Sequence, residues 1–79
     1  MSTEEIKKQS HIHTKNIANG IDTSEEYLAW FNTVPEQMKD FAREVFEIFE
    51  RLNTNQIDID TAKELYDKAV ALVEIKNNG

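Results

Sequence analysis

Two histidines, His11 and His13, are the first residues whose type could do chemistry, since imidazole is a common metal ligand and titrates near neutral pH. Two residues apart, they share a face only on a strand, and nothing around them predicts a strand. A metal site would need further ligands, with Glu4 or Glu5 folded back towards them. We therefore predict that both are solvated side chains of an N-terminal tail.

Oxygen-bearing side chains recur between two helical segments, in the outline of a calcium-binding helix–loop–helix. An EF-hand loop places ligands at positions 1, 3 and 5, glycine at 6 and glutamate at 12. Counted from Asn53, Glu64 falls at position 12, but Ile57 and Asp58 occupy positions 5 and 6. The pattern therefore favours turn-forming asparagines and helix-capping aspartates. We predict no metal site and no cofactor.

Four carboxylates repeat at helical spacing opposite an apolar helix face. We name them the acidic ridge: Glu36, Asp40, Glu44 and Glu47. Like charges at i, i+4 destabilise a helix by about a few tenths of a kcal/mol per pair, and Arg51 relieves this for Glu47. The ridge is either an ordinary solvated face or a surface that docks on a basic partner, and we carry it as a candidate binding site.

A second candidate surface is the aromatic face, which we define as Tyr27, Trp30 and Phe31. With Leu28, these side chains spread over an arc of roughly 160° on a short helix. So wide an arc is hard to bury on two or three turns, and exposed aromatics are preferred interface anchors. The alternative is that all three rings belong to the core.

Catalytic signatures are missing from the 79 residues, which include no cysteine, no G-x-S-x-G and no glycine-rich phosphate loop. Short helices also leave little room for an enclosed cavity on the order of several hundred Å³. We expect the protein not to be an enzyme.

The elements that hold these candidates are predicted to be helical, because two glycines and one proline punctuate the whole chain. Apolar periodicity predicts a central helix over Pro35–Leu52 and a second helix over Thr61–Ile75 that packs on it as an antiparallel hairpin. A short helix over Ser24–Asn32 carries the aromatic face. The central helix is expected to supply the core through Phe41, Val45, Phe46 and Phe49.

Local signals mark where the helices start. Thr33–Glu36 and Thr61–Glu64 both have the spacing of a capping box. Between the long helices, Ile57 and Ile59 alternate with Asp58, which predicts that both isoleucines point inward from an extended piece.

Residues 1–20 are predicted to be a polar N-terminal arm, either disordered or a frayed helix, since their few apolar residues share no stripe. Ser2 could start such a helix and Asn19–Gly20 could stop it. The arm has three lysines and two glutamates, a net charge of +1. Residues 21–79 form the acidic helical domain, with six bases against thirteen acids.

The fold class predicted is all-α: a small three-helix bundle preceded by a weakly structured arm. With no signal peptide or membrane span in the sequence, we expect a cytoplasmic protein that does not contact membranes. In size, acidity and lack of motifs, the chain is similar in type to small helical proteins of phages and mobile elements that bind and inhibit a host factor.

The function expected by elimination is a non-catalytic protein–protein interaction module, an inhibitor or regulator of a larger partner. A homodimer closed by the aromatic face is one variant of this hypothesis. The alternative from another class is weak nucleic-acid association through Lys7, Lys8 and Lys15, which the acidic body opposes. The acidic ridge could instead mimic nucleic-acid phosphates, although a net charge of -6 is modest for a mimic.

Overall fold

The computed structural model describes the backbone of residues 2–78 and the side chains of residues 2–75. Within that range there are four α-helices, one 3₁₀ turn and no strand, which confirms the all-α prediction. In chain order the elements are α1 (Thr3–Ala18), α2 (Ser24–Phe31), the 3₁₀ turn Glu36–Met38, α3 (Lys39–Asn53) and α4 (Ile59–Asn78).

Helix α3 is the centre of the fold, and α1 packs along it in the parallel direction. The His11 ring stacks on Phe49 with centroids 5.0 Å apart. One turn further on, the Asn53 amide donates to Thr14 Oγ1 at 3.0 Å. Residue numbers rise along both helices from the first contact to the second, so α1 and α3 are parallel. The segment that connects them, which includes α2, therefore runs back from the end of α1 to the start of α3.

Helix α4 packs on α3 in the antiparallel direction, as the sequence predicts. Phe41 near the start of α3 lies 6.2 Å from Tyr66 in the middle of α4, while Phe49 near the end of α3 shares a groove with Ala62. A short turn makes this hairpin possible, because Asn55 adopts a positive φ of 62° that closes α3.

The N-terminal segment differs from the prediction: residues 3–18 form a regular helix within the main core. Its buried face consists of Ile6, Ser10, His13 and Thr14, at the spacing i, i+4, i+7, i+8. Only Ile6 is a large aliphatic, and it is completely buried. The sequence has no apolar stripe here, because three of the four residues that face the core are polar.

The ends of α1 are those that the sequence indicates. The Glu5 backbone N–H donates to the Ser2 hydroxyl at 3.2 Å, which caps the first turn. At the other end, Gly20 adopts a φ of 81°. Its N–H donates to the Ile17 carbonyl, and the Ile21 N–H donates to the Asn16 carbonyl at 2.8 Å. This pair of bonds is a Schellman motif, which needs the left-handed backbone that glycine adopts easily.

Both predicted capping boxes are wrong. The Thr33 hydroxyl donates to the Trp30 carbonyl at 2.6 Å, so it closes α2 instead of opening the next helix. The Asp58 carboxylate, not the Thr61 side chain, caps α4 by accepting the Thr61 N–H at 2.7 Å. The last helix therefore starts at Ile59, whose side chain is exposed instead of pointing inward as predicted.

The main core lies where α1, α3 and α4 meet, with Val34 and Met38 closing one end. Of the core residues predicted on the central helix, Phe41, Val45 and Phe49 are buried as expected. Phe46 is half-buried, because it faces α2 and packs on Tyr27 with centroids 4.6 Å apart. The helix α2 has no fully buried residue and acts as a cover on this side.

Candidate functional site

The acidic ridge is fully on the surface: all four of its carboxylate side chains are exposed. Three have basic neighbours on the same helical stretch. Lys39 lies 3.4 Å from Glu36, Arg43 lies 3.0 Å from Asp40, and Arg51 pairs with Glu47. Among the described residues, Glu44 is the ridge carboxylate without an ion-pair partner. The ridge is therefore less negative than its sequence alone indicates.

The basic neighbours lie on one side of the ridge. Lys39 Nζ and the Arg43 guanidinium sit 5.5 and 5.2 Å from the centre of the Phe31 ring, which belongs to α2. Asp40 and Glu44 instead border the groove on the opposite side, between α3 and α4. Lys39 and Arg43 thus lie on the α2 side of α3, and Asp40 and Glu44 border the α4 side, with Arg43 still paired to Asp40.

The α3–α4 groove has a volume of about 320 Å³ and an apolar floor. Phe41 of α3 and Ala69 of α4, both buried, form that floor. The outer wall is provided by Leu72 and Ile75, whose side chains are 61 % and 69 % exposed. These are the two most exposed large apolar side chains in the described part of the chain, and they lie one helical turn apart. Together with Asp40 and Glu44 they form a surface that we name the acidic–apolar groove.

The rings of the aromatic face are half-buried and packed mainly against other side chains of the protein. Tyr27 contacts four rings, from α1, α2 and α3, and burial raises the pKa of its phenol. Trp30 and Phe31 are likewise half-buried. The large apolar residue of α2 that is mostly in solvent is Leu28, at 58 % exposure. The rings mainly hold α2 onto α1 and α3.

The two histidines have different surroundings, and the prediction that both are solvated is wrong for His13. The His13 ring is only 7 % exposed and meets Tyr27 edge-on at 5.4 Å. Its Nδ1 has no hydrogen-bond partner. His11 is exposed and lies flat on Phe49. Within the described residues, no three histidine or acidic side chains are grouped so that they could hold a metal ion.

A second groove of about 390 Å³ runs between α1 and α4, and sequence reasoning missed it because α1 was predicted to be an arm. Phe49 lies at its floor, and Lys7 Nζ sits 4.7 Å from the centre of the Tyr66 ring. The Tyr66 hydroxyl donates to the Thr3 carbonyl at 3.4 Å and reaches a Glu4 carboxylate oxygen at 3.3 Å. Burial raises the pKa of Tyr66, and the neighbouring carboxylates raise it further.

The polar groups of the α1–α4 groove thus largely contact one another across the two helices. The Lys63 ammonium and Asp67 carboxylate also line it, so that its charges are mixed in sign. The acidic–apolar groove differs, since its charged side chains in the described part of the chain are both carboxylates, and Leu72 and Ile75 in its wall are more than half exposed.

The loop that has the outline of a calcium site serves turn formation and capping. Asn55 supplies the left-handed turn residue and Asp58 caps α4. The hydrogen bonds from Thr61 lower the pKa of the Asp58 carboxyl. These roles are the ones that the asparagines and aspartates are expected to have in a turn followed by a helix.

The chain matches no protein-family model, no curated protein and no solved structure. In the residues that the structure describes, every helix is too short or too polar to cross a bilayer.

Proposed function

We propose that this chain is a non-catalytic protein-binding module, an inhibitor or regulator of a larger protein, and that it contacts its partner through the acidic side of α3. The observation that supports this most directly is the position of Asp40 and Glu44 beside the exposed side chains of Leu72 and Ile75. A surface that combines one sign of charge with unburied aliphatic groups is typical of an interface.

The aromatic face is the weaker choice for this contact. Tyr27 packs at a tilt on Trp30, on Phe31 and on Phe46 of α3, so removing these rings would expose the side of α3 that faces α2. A homodimer through this face would rest mainly on Leu28, since the three rings are half-buried and offer less exposed surface.

Nucleic-acid association through α1 receives little support from the geometry. Lys7 is occupied with the Tyr66 ring, which leaves Lys8 and Lys15 exposed on a helix that begins with Glu4 and Glu5. Two cations give a weak, salt-sensitive hold on phosphates. A gel shift at low salt tests this alternative directly.

Affinity capture with quantitative mass spectrometry tests the proposed contact. The test variant carries charge reversals at the ridge, Glu36→Lys, Asp40→Lys and Glu44→Lys. A matched control carries the same change in charge at three exposed acids elsewhere, Glu50→Lys, Asp67→Lys and Glu74→Lys. We expect the wild type and the control to enrich the same partner, and the ridge variant to lose it. Equal enrichment by all three proteins would remove the ridge from the interface.

A further inference from the structure

The acidic–apolar groove has the shape and chemistry of a binding site for a helix. Resting on the proposed function, we infer that the groove binds a basic amphipathic helix of the partner protein. Apolar side chains of that helix enter the groove between Leu72 and the floor at Phe41. Lysine or arginine side chains on one flank of the helix meet Asp40 and Glu44.

The dimensions of the groove favour a helix over an extended segment. The α3 side of the groove runs from Gln37 to Glu44, which is about 10 Å or two helical turns. The α4 side is built from Leu72 and Ile75, one turn apart. A groove between two packed helices can bind a third, amphipathic helix, whose apolar side chains at i, i+3, i+4 and i+7 enter the groove.

The sign of the charge selects the partner. The groove is lined by two carboxylates, and no basic side chain lines it among the described residues. Lys39 and Arg43 lie towards Phe31 on α2, and Arg43 also pairs with Asp40 at 3.0 Å. Glu44, which has no ion-pair partner among the described residues, therefore supplies most of the negative charge at the edge facing α4, and a basic helix is attracted there where an acidic one is repelled.

The same charges disfavour a second copy of this chain as the occupant. In a symmetric dimer through this groove, Asp40 and Glu44 of one protomer would approach the same carboxylates of its partner, which is a destabilising contact. The exposed area of Leu72 and Ile75 would then have to outweigh that repulsion. A basic partner can instead contact the carboxylates and the exposed apolar side chains at the same time.

Fluorescence anisotropy with a synthetic helix tests this inference without knowledge of the natural partner. The probe is a labelled amphipathic helix of roughly 18 leucine and lysine residues, long enough to populate the helical form. A peptide of the same composition with its leucines scattered around the helix isolates the contribution of charge alone. A leucine–glutamate peptide tests the sign. We expect the leucine–lysine helix to bind about tenfold or more tightly than either control peptide.

Matched protein variants locate the binding. Leu72→Ser with Ile75→Ser removes the groove wall, whereas Leu28→Ser with Ile59→Ser removes two similarly exposed aliphatic side chains from other surfaces. We expect the first pair to weaken binding about tenfold or more and the second pair to leave it unchanged. Equal effects of the two pairs, or equal binding of the scattered peptide, would overturn the inference.

Further outcomes separate this inference from the proposed function. If Asp40→Lys with Glu44→Lys abolishes partner capture while the groove-wall variant captures normally, the proposed function stands and the helix-binding groove fails. If neither change affects partner capture, both fail. Sedimentation of the wild type and of the groove-wall variant tests whether a second copy of this chain occupies the groove. A dimer that the wild type forms and the variant does not would identify a second copy and overturn the inference.

Discussion

The two grooves on either side of α4 have similar volumes but differ in what their side chains contact. In the α1–α4 groove, Lys7 and Glu4 both interact with Tyr66, and His11 stacks on Phe49. In the α3–α4 groove, Leu72 and Ile75 have most of their surface in solvent beside Asp40 and Glu44. The contacts in the first groove hold α1 and α4 together, and the second groove is the one that we propose for a partner.

The largest expected effect is at the floor of the α1–α4 groove. Replacing Phe49, which α1 and α4 both contact, by alanine removes a buried ring and is expected to lower the free energy of unfolding by ~3–5 kcal/mol. A domain of this size has only ~3–5 kcal/mol in total, so the variant is expected to be largely unfolded. Circular dichroism with urea titration measures this. Leu28→Ala at an exposed position is the control, and an unchanged melting temperature for Phe49→Ala would contradict the packing described.

The cap of α4 gives the next contrast. Asp58→Ala removes the acceptor of the Thr61 N–H at the end of α4 that lines the α1–α4 groove, and should lower the melting temperature at neutral pH. Because hydrogen bonds lower the pKa of the folded Asp58 below its ordinary 3.8, its contribution is present above that pH and is lost as pH falls through the folded pKa. The difference between wild type and variant should therefore shrink in acid.

Thermal melts from neutral pH to about pH 2 follow that difference. Glu44→Ala, at a carboxylate of the acidic–apolar groove, is the matched control and should leave the melting temperature unchanged near neutral pH. A difference between wild type and Asp58→Ala that is the same at both ends of the range would show that the carboxylate charge has no part in capping.

The sequence predicted α3 and its antiparallel partner because their buried faces are apolar at helical spacing, with Phe41 and Val45 as expected. It did not predict α1, because Ser10, His13 and Thr14 fill the buried face with polar groups. Thr14 is accommodated there since its hydroxyl donates to the Ser10 carbonyl at 2.9 Å and accepts from the Asn53 side chain. Periodicity of apolar residues carries no information about such a face.

Local sequence patterns account for only part of the proposed binding surface. The acidic ridge and the Glu47–Arg51 pair are local patterns on one helix, and the structure has both. The side of the ridge on which Lys39 and Arg43 lie depends on the position of the Phe31 ring that both cations contact. The tertiary packing of α2 sets that position. Leu72 lies in the helix predicted from apolar periodicity over Thr61–Ile75, yet it is 61 % exposed in the structure.

A smaller effect is expected at Tyr66, whose hydroxyl joins α4 to the start of α1. Tyr66→Phe removes two long hydrogen bonds and should cost about 0.5–1 kcal/mol of unfolding free energy. Since burial raises the folded pKa above the ordinary 10.0, the Tyr66 contribution is complete below that pH and is lost as pH rises through the folded pKa. The advantage of the wild type over Tyr66→Phe should decline above about pH 10.

Melting temperatures of the two proteins between about pH 8 and about pH 11 test this, with Tyr27→Phe as a second reference for a buried phenol. A melting-temperature difference that stays constant from about pH 8 to about pH 11 would mean that protonation of the Tyr66 hydroxyl does not stabilise the contact between α1 and α4.

The smallest effect on stability is expected at the acidic–apolar groove. Leu72→Ser with Ile75→Ser changes side chains that are already in solvent, so the free energy of unfolding should fall by less than about 1 kcal/mol. Urea titration beside Phe49→Ala gives the comparison. A loss as large as that of Phe49→Ala would place these residues in the core and remove them from any binding surface.

The most direct test of the contrast between the grooves is a two-dimensional amide NMR titration of the wild type with the leucine–lysine helix. The account predicts that the largest shifts fall on residues 37–44 and 69–75, while the amides of Lys7, His11 and Lys63 in the α1–α4 groove stay near their free positions. Shifts concentrated in the α1–α4 groove, with residues 69–75 unaffected, would contradict it.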